Sequence, residues 1–281
     1  MEELSRPTFP KTALGPNPDT AAVIGAAERI NGVMAFTVRS SGPWAAANDT
    51  CSLDFRESQT NSGSHVTRNL EKLSTHLGID AHGIVTCRQI HSDRIVVANG
   101  PSESVPSADA VITERPGIYP AVKTADCLPI LILEPAKGIA AAVHAGRRGT
   151  VLRITRKVLT FMKKRYGCEP SDMIVALGPA IGACCYELDE RVLTPLRQAI
   201  PHAERFIVAG SQDRSRKEGQ TPSYRLDLTA VNRYELEAEG VPDKNIHELK
   251  LCTSCNPQLF FSYRRDGIHS GRQLSLAGFR P

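Results

Sequence analysis

Aromatic residues are scarce in this 281-residue chain, at 5% with a single tryptophan, and methionine occurs only four times. The first shortage argues against a surface that stacks single-stranded nucleic acid, which needs aromatics interleaved with arginine. The second leaves few thioethers for a copper site. Long apolar runs are missing too: no window reaches the roughly 18–20 consecutive apolar residues of a membrane-spanning helix. The opening MEELSRPTFP has neither a basic start nor an apolar segment of the secretory kind, so a cytoplasmic protein is expected. No GxGxxG fingerprint or P-loop follows any strand candidate, which removes two familiar ways of cradling a phosphate.

What is present describes a soluble globular chain, 41% hydrophobic and 23% charged. The net charge of +4 comes from scattered basic residues, so a local anion site is a more economical expectation than a nucleic-acid surface. Prolines 7, 10, 16 and 18 and little apolar material mark residues 1–20 as a flexible tail. No linker or internal repeat divides the remainder, and one domain over 21–281 is expected, with AGSQDRSRKEGQTPS (209–223) as an exposed loop. The eight cysteines are expected to be reduced, because a chain this long does not need disulfides to hold its core. Cys184 and Cys185 are adjacent, a spacing that disfavours a bridge between them. Cys252-x-x-Cys255 has no second CxxC for a zinc finger and no thioredoxin-like surroundings, which leaves structural thiols or cavity lining.

Strand candidates are 32–38, 84–90, 94–98, 110–113, 119–124, 128–133, 139–144, 173–178, 246–251, 260–265 and 272–279. Helical spacing predicts helices over 65–77, 150–165, 187–199 (kinked at Pro195) and 227–239, the last capped by Asp227 and stopped by Gly240. Many strands in hairpin order with few helices between them imply an α/β chain with a mixed, largely antiparallel sheet covered by helices.

The segment DCLPILILEPAKGIAAAVHAGRRG (126–149) carries the clearest chemistry. A short turn at Glu134–Gly138 predicts an antiparallel hairpin in which His144 faces Pro129 and Cys127 faces Gly146. Cys127 and His144 then share a face as diagonal neighbours, about 7 Å apart. One metal ion can reach both, but a one-residue slip would separate them, and composition alone favours two core residues. A third ligand is needed for a zinc site with an open position. His91, at the end of a strand candidate, is placed for it, although spacing alone does not select it. Arg147 and Arg148 precede the 150–165 helix, a position suited to an anion, with surface salt bridges as the alternative. Gly178 and Gly182 in ALGPAIGACCYEL allow close backbone approach to a ligand.

RQIHSDRI, SADAVIT, VKTADCLPILI, AAVHAGRRGT, ALGPAIGACCYEL, LDLTAVNRYEL and CTSCNPQLFFSYRRDGIHSGRQLSLAGF occur in this order, and together they resemble the laccase-domain family, also called YfiH-like or polyphenol oxidoreductase. The resemblance covers about residues 32–279. It implies a single-domain α/β/β/α layered sandwich and a zinc site of His91, Cys127 and His144. The implied activity is that of a purine nucleoside phosphorylase with adenosine deaminase and methylthioadenosine phosphorylase activity, acting on purine nucleosides and phosphate.

Three positions depart from the family pattern. Arg147 stands where HAGWRG has tryptophan, Asp54 where SLN has an amide, and Leu70 where NRxxL has an arginine that Arg68 would have to replace. Arg147, Arg148, Asp54 and Arg68 are therefore the candidate substrate or phosphate contacts. The alternatives are a Cys127/His144 thiol hydrolase or peptidoglycan-precursor editing factor, a copper polyphenol oxidase, and a non-catalytic metal-binding homologue.

Overall fold

A computed structural model describes residues 22–24, 31–39, 53–56, 64–100, 105–209 and 223–281. The expected tail (1–20) and nearly all of the expected loop at 209–223 lie outside them. In chain order, the first elements are β1 (Ala22–Ile24), β2 (Gly32–Phe36), α1 (Ser64–Leu77), β3 (Ile84–Val85), β4 (Ile95–Val97), β5 (Ala110–Thr113) and β6 (Tyr119–Thr124). The hairpin β7 (Leu128–Glu134) and β8 (Ile139–Ala145) leads into α2 (Arg147–Val151), α3 (Ile154–Tyr166) and β9 (Ile174–Leu177). The chain continues through β10 (Glu187–Asp189), α4 (Glu190–Ala199), β11 (Ile207–Ala209), β12 (Ser223–Leu226) and α5 (Leu228–Ala238). It closes with β13 (Ile246–Glu248), α6 (Tyr263–Asp266) and β14 (Gln273–Phe279).

A five-stranded sheet, in the order β1-β2-β14-β6-β3, faces a six-stranded sheet, β13-β9-β7-β8-β5-β4; β10, β12 and β11 form a small third sheet. Pairing is antiparallel except for β13/β9, β3/β6 and β4/β5. Alternation along the strands decides the layers. In the hairpin, Leu131, Leu133, Ala140 and Ala142 pack against Met34, Phe36, Val122 and Phe279 of the other sheet. Their neighbours Ile130, Ile132, Ala141 and Val143 face the opposite way, into a core with Ile154, Val158 and Met162 of α3 and Val231 and Leu236 of α5. On the outside of the five-stranded sheet, Leu73 and Leu77 of α1 pack with Tyr119 and Leu276. The result is the expected α/β/β/α sandwich.

Three local expectations are corrected. The helix predicted over 150–165 starts at Arg147 and breaks at Arg153, whose φ of 59° puts it in the left-handed region. Arg153 is held there by Glu235, a buried residue of α5, whose carboxylate accepts from Nε and Nη2 at 2.9 Å each. A contact between distant segments thus overrides local helix propensity. The predicted strand 260–265 contains a helical turn instead, with the Ser262 hydroxyl accepting from the Arg265 N–H. In the predicted helix 187–199, the first three residues pair as β10, and α4 starts only after Asp189 caps the Val192 N–H.

Candidate metal centre

The hairpin delivers the first two residues of the site. Pro129 pairs with His144 and Leu128 with Ala145, the expected register, so Cys127 at the mouth of β7 lies beside His144 near the end of β8. His91 comes from the loop between β3 and β4, where its backbone takes φ of 57°. The Cys127 Sγ to His91 Nε2 distance is 3.9 Å, and the ligand atoms of all three residues lie within 4.8 Å of one another. The two imidazoles meet edge to face at 4.8 Å between centroids.

Asp109, fully buried just before β5, orders this arrangement. One carboxylate oxygen bonds His144 Nδ1 at 2.8 Å and accepts the His91 N–H; the other accepts from the N–H and hydroxyl of Ser92 at 2.6 and 2.7 Å. The Ile90 N–H adds a longer bond. One carboxylate therefore fixes the loop that carries His91 and the ring of His144. With Nδ1 engaged, Nε2 is the His144 nitrogen left to face Cys127. Burial alone would raise the Asp109 pKa, but the bonds from His144 and Ser92 hold it well below the usual carboxylate range. Asp109 lies in the SADAVIT motif, yet nothing in its local spacing marks it as the partner of two histidines.

The donor set fits a zinc ion. Bonds of about 2.0–2.1 Å to nitrogen and 2.3 Å to sulfur at a tetrahedral angle put the two ligand atoms about 3.6 Å apart, close to the spacing found here. A methyl group on Gly146 would lie 2.8 Å from Cys127 Sγ and 3.2 Å from His91 Cδ2, so glycine is what leaves room for the three to converge. An imidazole backed by a carboxylate is the usual outer support of a metal-ligating histidine.

Burial would raise the Cys127 thiol, but the adjacent His144 outweighs it and brings the pKa down to about 6. For His144, burial would lower the pKa, whereas Cys127 and Asp109 raise it to about 9. Without metal, the pair is a thiolate and an imidazolium at neutral pH. Alkylation of Cys127 in metal-free protein should therefore keep its rate from pH 8 to 7 and fall about tenfold per unit below pH 6. Bound metal should protect it. Peptide mass spectrometry after timed exposure to iodoacetamide measures both effects, and a rate still climbing towards pH 8.5 would contradict the pair.

His91, Cys127 and His144 line a cavity of about 600 Å³, a volume suited to a small-molecule ligand. Around it stand Arg56, Arg88, Arg264, Arg272 and Lys123, with Phe55, Tyr186 and Tyr263 supplying flat apolar surface. The guanidiniums are held in place: Arg88 donates to Ser107 Oγ, Arg272 to the carbonyls of Ser270 and Gly271, and Arg264 to Glu187 O while lying over the Tyr186 ring. Thr124 also lines the cavity, and its buried hydroxyl has no hydrogen-bond partner among the described residues.

The other sequence candidates sit elsewhere. Arg147 is half-buried at the start of α2 and reaches Tyr186, and Arg148 is exposed; neither lines the cavity. A five-residue helix also offers only a weak dipole to an anion. Asp54 lies behind the wall, where Oδ1 accepts the N–H groups of Arg56 and Arg272 and so ties two cavity arginines together. Arg68 is exposed on α1, and Leu70 packs against the core between α1 and the sheet. The cationic ring was not assembled from sequence because its members come from four distant segments, although RQIH, YRRD and SGRQ each place an arginine inside a recognised motif.

The sequence profile of the multi-copper polyphenol oxidoreductase laccase family matches residues 33–280. The chain is 35% identical over 275 residues to purine nucleoside phosphorylase YlmD of Geobacillus stearothermophilus, covering 95% of this chain and 93% of that one. It is also 35% identical to adenosine deaminase RL5 from an unknown prokaryotic organism, over 72% of this chain and 78% of the relative. The crystal structure of YfiH from Bacillus licheniformis superposes with a TM-score of 0.80 at 31% identity, covering 93% of this chain and 98% of that one.

Proposed function

This chain belongs to the multi-copper polyphenol oxidoreductase laccase family, and we propose that it is a zinc-dependent purine nucleoside phosphorylase that also deaminates adenosine and cleaves methylthioadenosine. The observation that carries this is the His91–Cys127–His144 cluster in a cavity ringed by arginines, which offers a metal position, an anion position and aromatic surface in one space. Relatives named for phosphorolysis of purine nucleosides and for adenosine deamination support the substrate class. A zinc ion on this triad would supply a Lewis acid and bring bound water's pKa towards about 7.

The chain's own residues supply the rest. The arginines bind and orient phosphate against the ribose carbon, and their planar forks suit its oxygens better than an ammonium would. Phe55, Tyr186 and Tyr263 give the purine flat apolar surface. Asp109 keeps His144 in one orientation with Nε2 towards Cys127, and the Thr124 hydroxyl is free of the described residues to meet a substrate polar group.

Zinc is favoured over copper by the surroundings of the triad. A Cys-His₂ copper site characteristically adds a distant methionine, and Met34, Met162 and Met173 are all buried in the apolar cores, away from the cavity. Metal analysis of purified protein tests this directly, since a blue copper-loaded protein would reverse the assignment.

Incubation of the metal-loaded protein with adenosine, inosine or methylthioadenosine should yield free base and pentose phosphate only when phosphate is present, and inosine from adenosine without it. No turnover of any of the three would exclude the proposed activity. Arg88→Ala should raise the KM for phosphate by about tenfold, the worth of one charge-assisted hydrogen bond, with little loss of kcat or stability because the side chain is exposed. Steady-state kinetics with varied phosphate check it.

A further inference from the structure

We propose that Cys184, Cys185, Cys252 and Cys255 form a second metal site, a tetrathiolate holding one structural zinc ion behind the cavity wall. It is separate from the His91–Cys127–His144 cluster and shares no residue with it. The CxxC at 252–255 has no partner CxxC in the sequence; the fold supplies the missing pair from Cys184 and Cys185, about seventy residues earlier in the chain. Cys255 Sγ lies 3.5 Å from Cys184 Sγ and 3.4 Å from Cys185 Sγ, and all four sulfurs lie within 4.8 Å of one another.

The spacing fits one ion. Four sulfurs placed tetrahedrally at about 2.3 Å from zinc stand about 3.8 Å apart. A disulfide needs one pair at about 2.05 Å, whereas Cys255 is shared almost equally between two partners and the cysteines are free thiols. Tetrahedral sulfur coordination selects zinc or iron–sulfur chemistry. An iron–sulfur cluster would spread its protein sulfurs over several metal and sulfide positions, further apart than these four, so a single ion is favoured.

The backbone around the sulfurs suits thiolates. The Gly182 N–H donates to Cys252 Sγ at 3.3 Å, and a Cβ at position 182 would lie 3.3 Å from both Cys184 Sγ and Cys252 Cβ. The Cys185 N–H donates to Gly182 O, turning the chain so that adjacent cysteines both reach the cluster. Ala180 and Cys252 form an isolated parallel bridge, with the Thr253 N–H on Ala180 O at 3.0 Å. Two guanidiniums grip the same loops, Arg264 on Cys185 O and Arg265 on the carbonyls of Thr253 and Ser254. The charge of Arg264 offsets part of that of a doubly negative metal–tetrathiolate, whereas Arg265 is paired with Asp266 and acts by gripping the loop.

The position of the site gives it a purpose. The 180–186 segment supplies Ile181 and Tyr186 to the cavity, and the Thr253 hydroxyl donates to Asp126 Oδ1 at 2.6 Å, next to Cys127. A metal cross-link would fix the two cysteine-bearing loops where they bear on the cavity wall.

The test is metal stoichiometry, which needs no activity, and the variants separate this site from the triad: were the triad empty, the unmodified chain would hold a single ion that Cys184→Ser/Cys255→Ser loses and His91→Ala keeps. Protein purified under reducing conditions and loaded with zinc should hold two ions per chain by elemental analysis. Cys184→Ser/Cys255→Ser should hold one, and His91→Ala should also hold one. Should the double variant fail to fold, cobalt(II) titration of the unmodified chain supplies the answer: two successive sets of visible bands are expected, one with the intense sulfur charge transfer and red-shifted ligand-field bands of a tetrathiolate. A zinc content that Cys184→Ser/Cys255→Ser leaves unchanged, iron in place of zinc, or a Cys255 disulfide to Cys184 or Cys185 found by mass spectrometry in freshly reduced protein would overturn the proposal.

Discussion

Asp109→Ala is expected to lower metal affinity by about 10–100-fold and stability by about 3–5 kcal/mol. The carboxylate is completely buried and engages His144 Nδ1, the N–H groups of Ile90, His91 and Ser92, and the Ser92 hydroxyl. Alanine strands these donors, and the loop loses what holds His91 at its left-handed φ. Asp109→Asn keeps the shape and one acceptor oxygen, so it should fold with a smaller loss while still binding zinc less tightly. The variants also separate in acid. A carboxylate whose pKa is depressed by folding adds stability that is present above its unfolded value of about 4 and is lost as pH falls through the folded value. The unmodified chain should therefore lose that increment in strong acid, and Asp109→Asn should lack it at every pH. Urea unfolding at pH 7 and in steps below pH 4, where the slope of stability against pH should flatten in Asp109→Asn relative to the unmodified chain, together with zinc titration against a competing chelator, measures both parts. Unchanged zinc affinity in Asp109→Ala would show that the histidines hold their places without it.

What the sequence exposes and what it hides follow from the range of the interactions involved. The β7/β8 hairpin is legible because five turn residues and an alternating pattern leave one register that buries both faces correctly. That register alone puts Cys127 beside His144. His91 is different: its position depends on a carboxylate 18 residues away, a bond that no local periodicity encodes, and family resemblance rather than spacing selects it. The break at Arg153 is hidden for the same reason, since the residue that holds it, Glu235, is 82 positions further on. The cationic ring and the four-cysteine cluster belong to the same class. Arg56, Arg88, Arg264 and Arg272 converge only once α1, the two sheets and α6 are in place, and Cys184 meets Cys255 only after the 180–186 and 252–256 segments run side by side. Pattern shows a mixed, largely antiparallel sheet covered by helices, and family resemblance adds its division into two packed sheets; the chemistry at their edge is built from long-range contacts.

Gly146→Ala is the sharpest test of the triad, because it should remove function while leaving the fold almost intact. Gly146 has φ of −74°, which any residue adopts, so the backbone itself does not object to alanine. The objection is local: the new methyl would sit 2.8 Å from Cys127 Sγ and 3.2 Å from His91 Cδ2. Contacts that short are relieved by moving the thiol and the ring apart, and a shift of about 1 Å in a reacting constellation costs on the order of 100-fold in rate. The expected result is a loss of about 100-fold in kcat and weaker zinc retention, with a stability change of only about 1–3 kcal/mol, the usual range for overpacking at one site. The variant should remain folded by circular dichroism and keep the four-cysteine ion if that site is filled. Gly138→Ala is the control: its Cβ would meet nothing within 4 Å, so only the strain of its positive φ is felt, far from the cavity. Full turnover and full zinc occupancy in Gly146→Ala would mean that His91 and Cys127 can separate without consequence, and that the close approach built into the end of the hairpin is not what makes the site work.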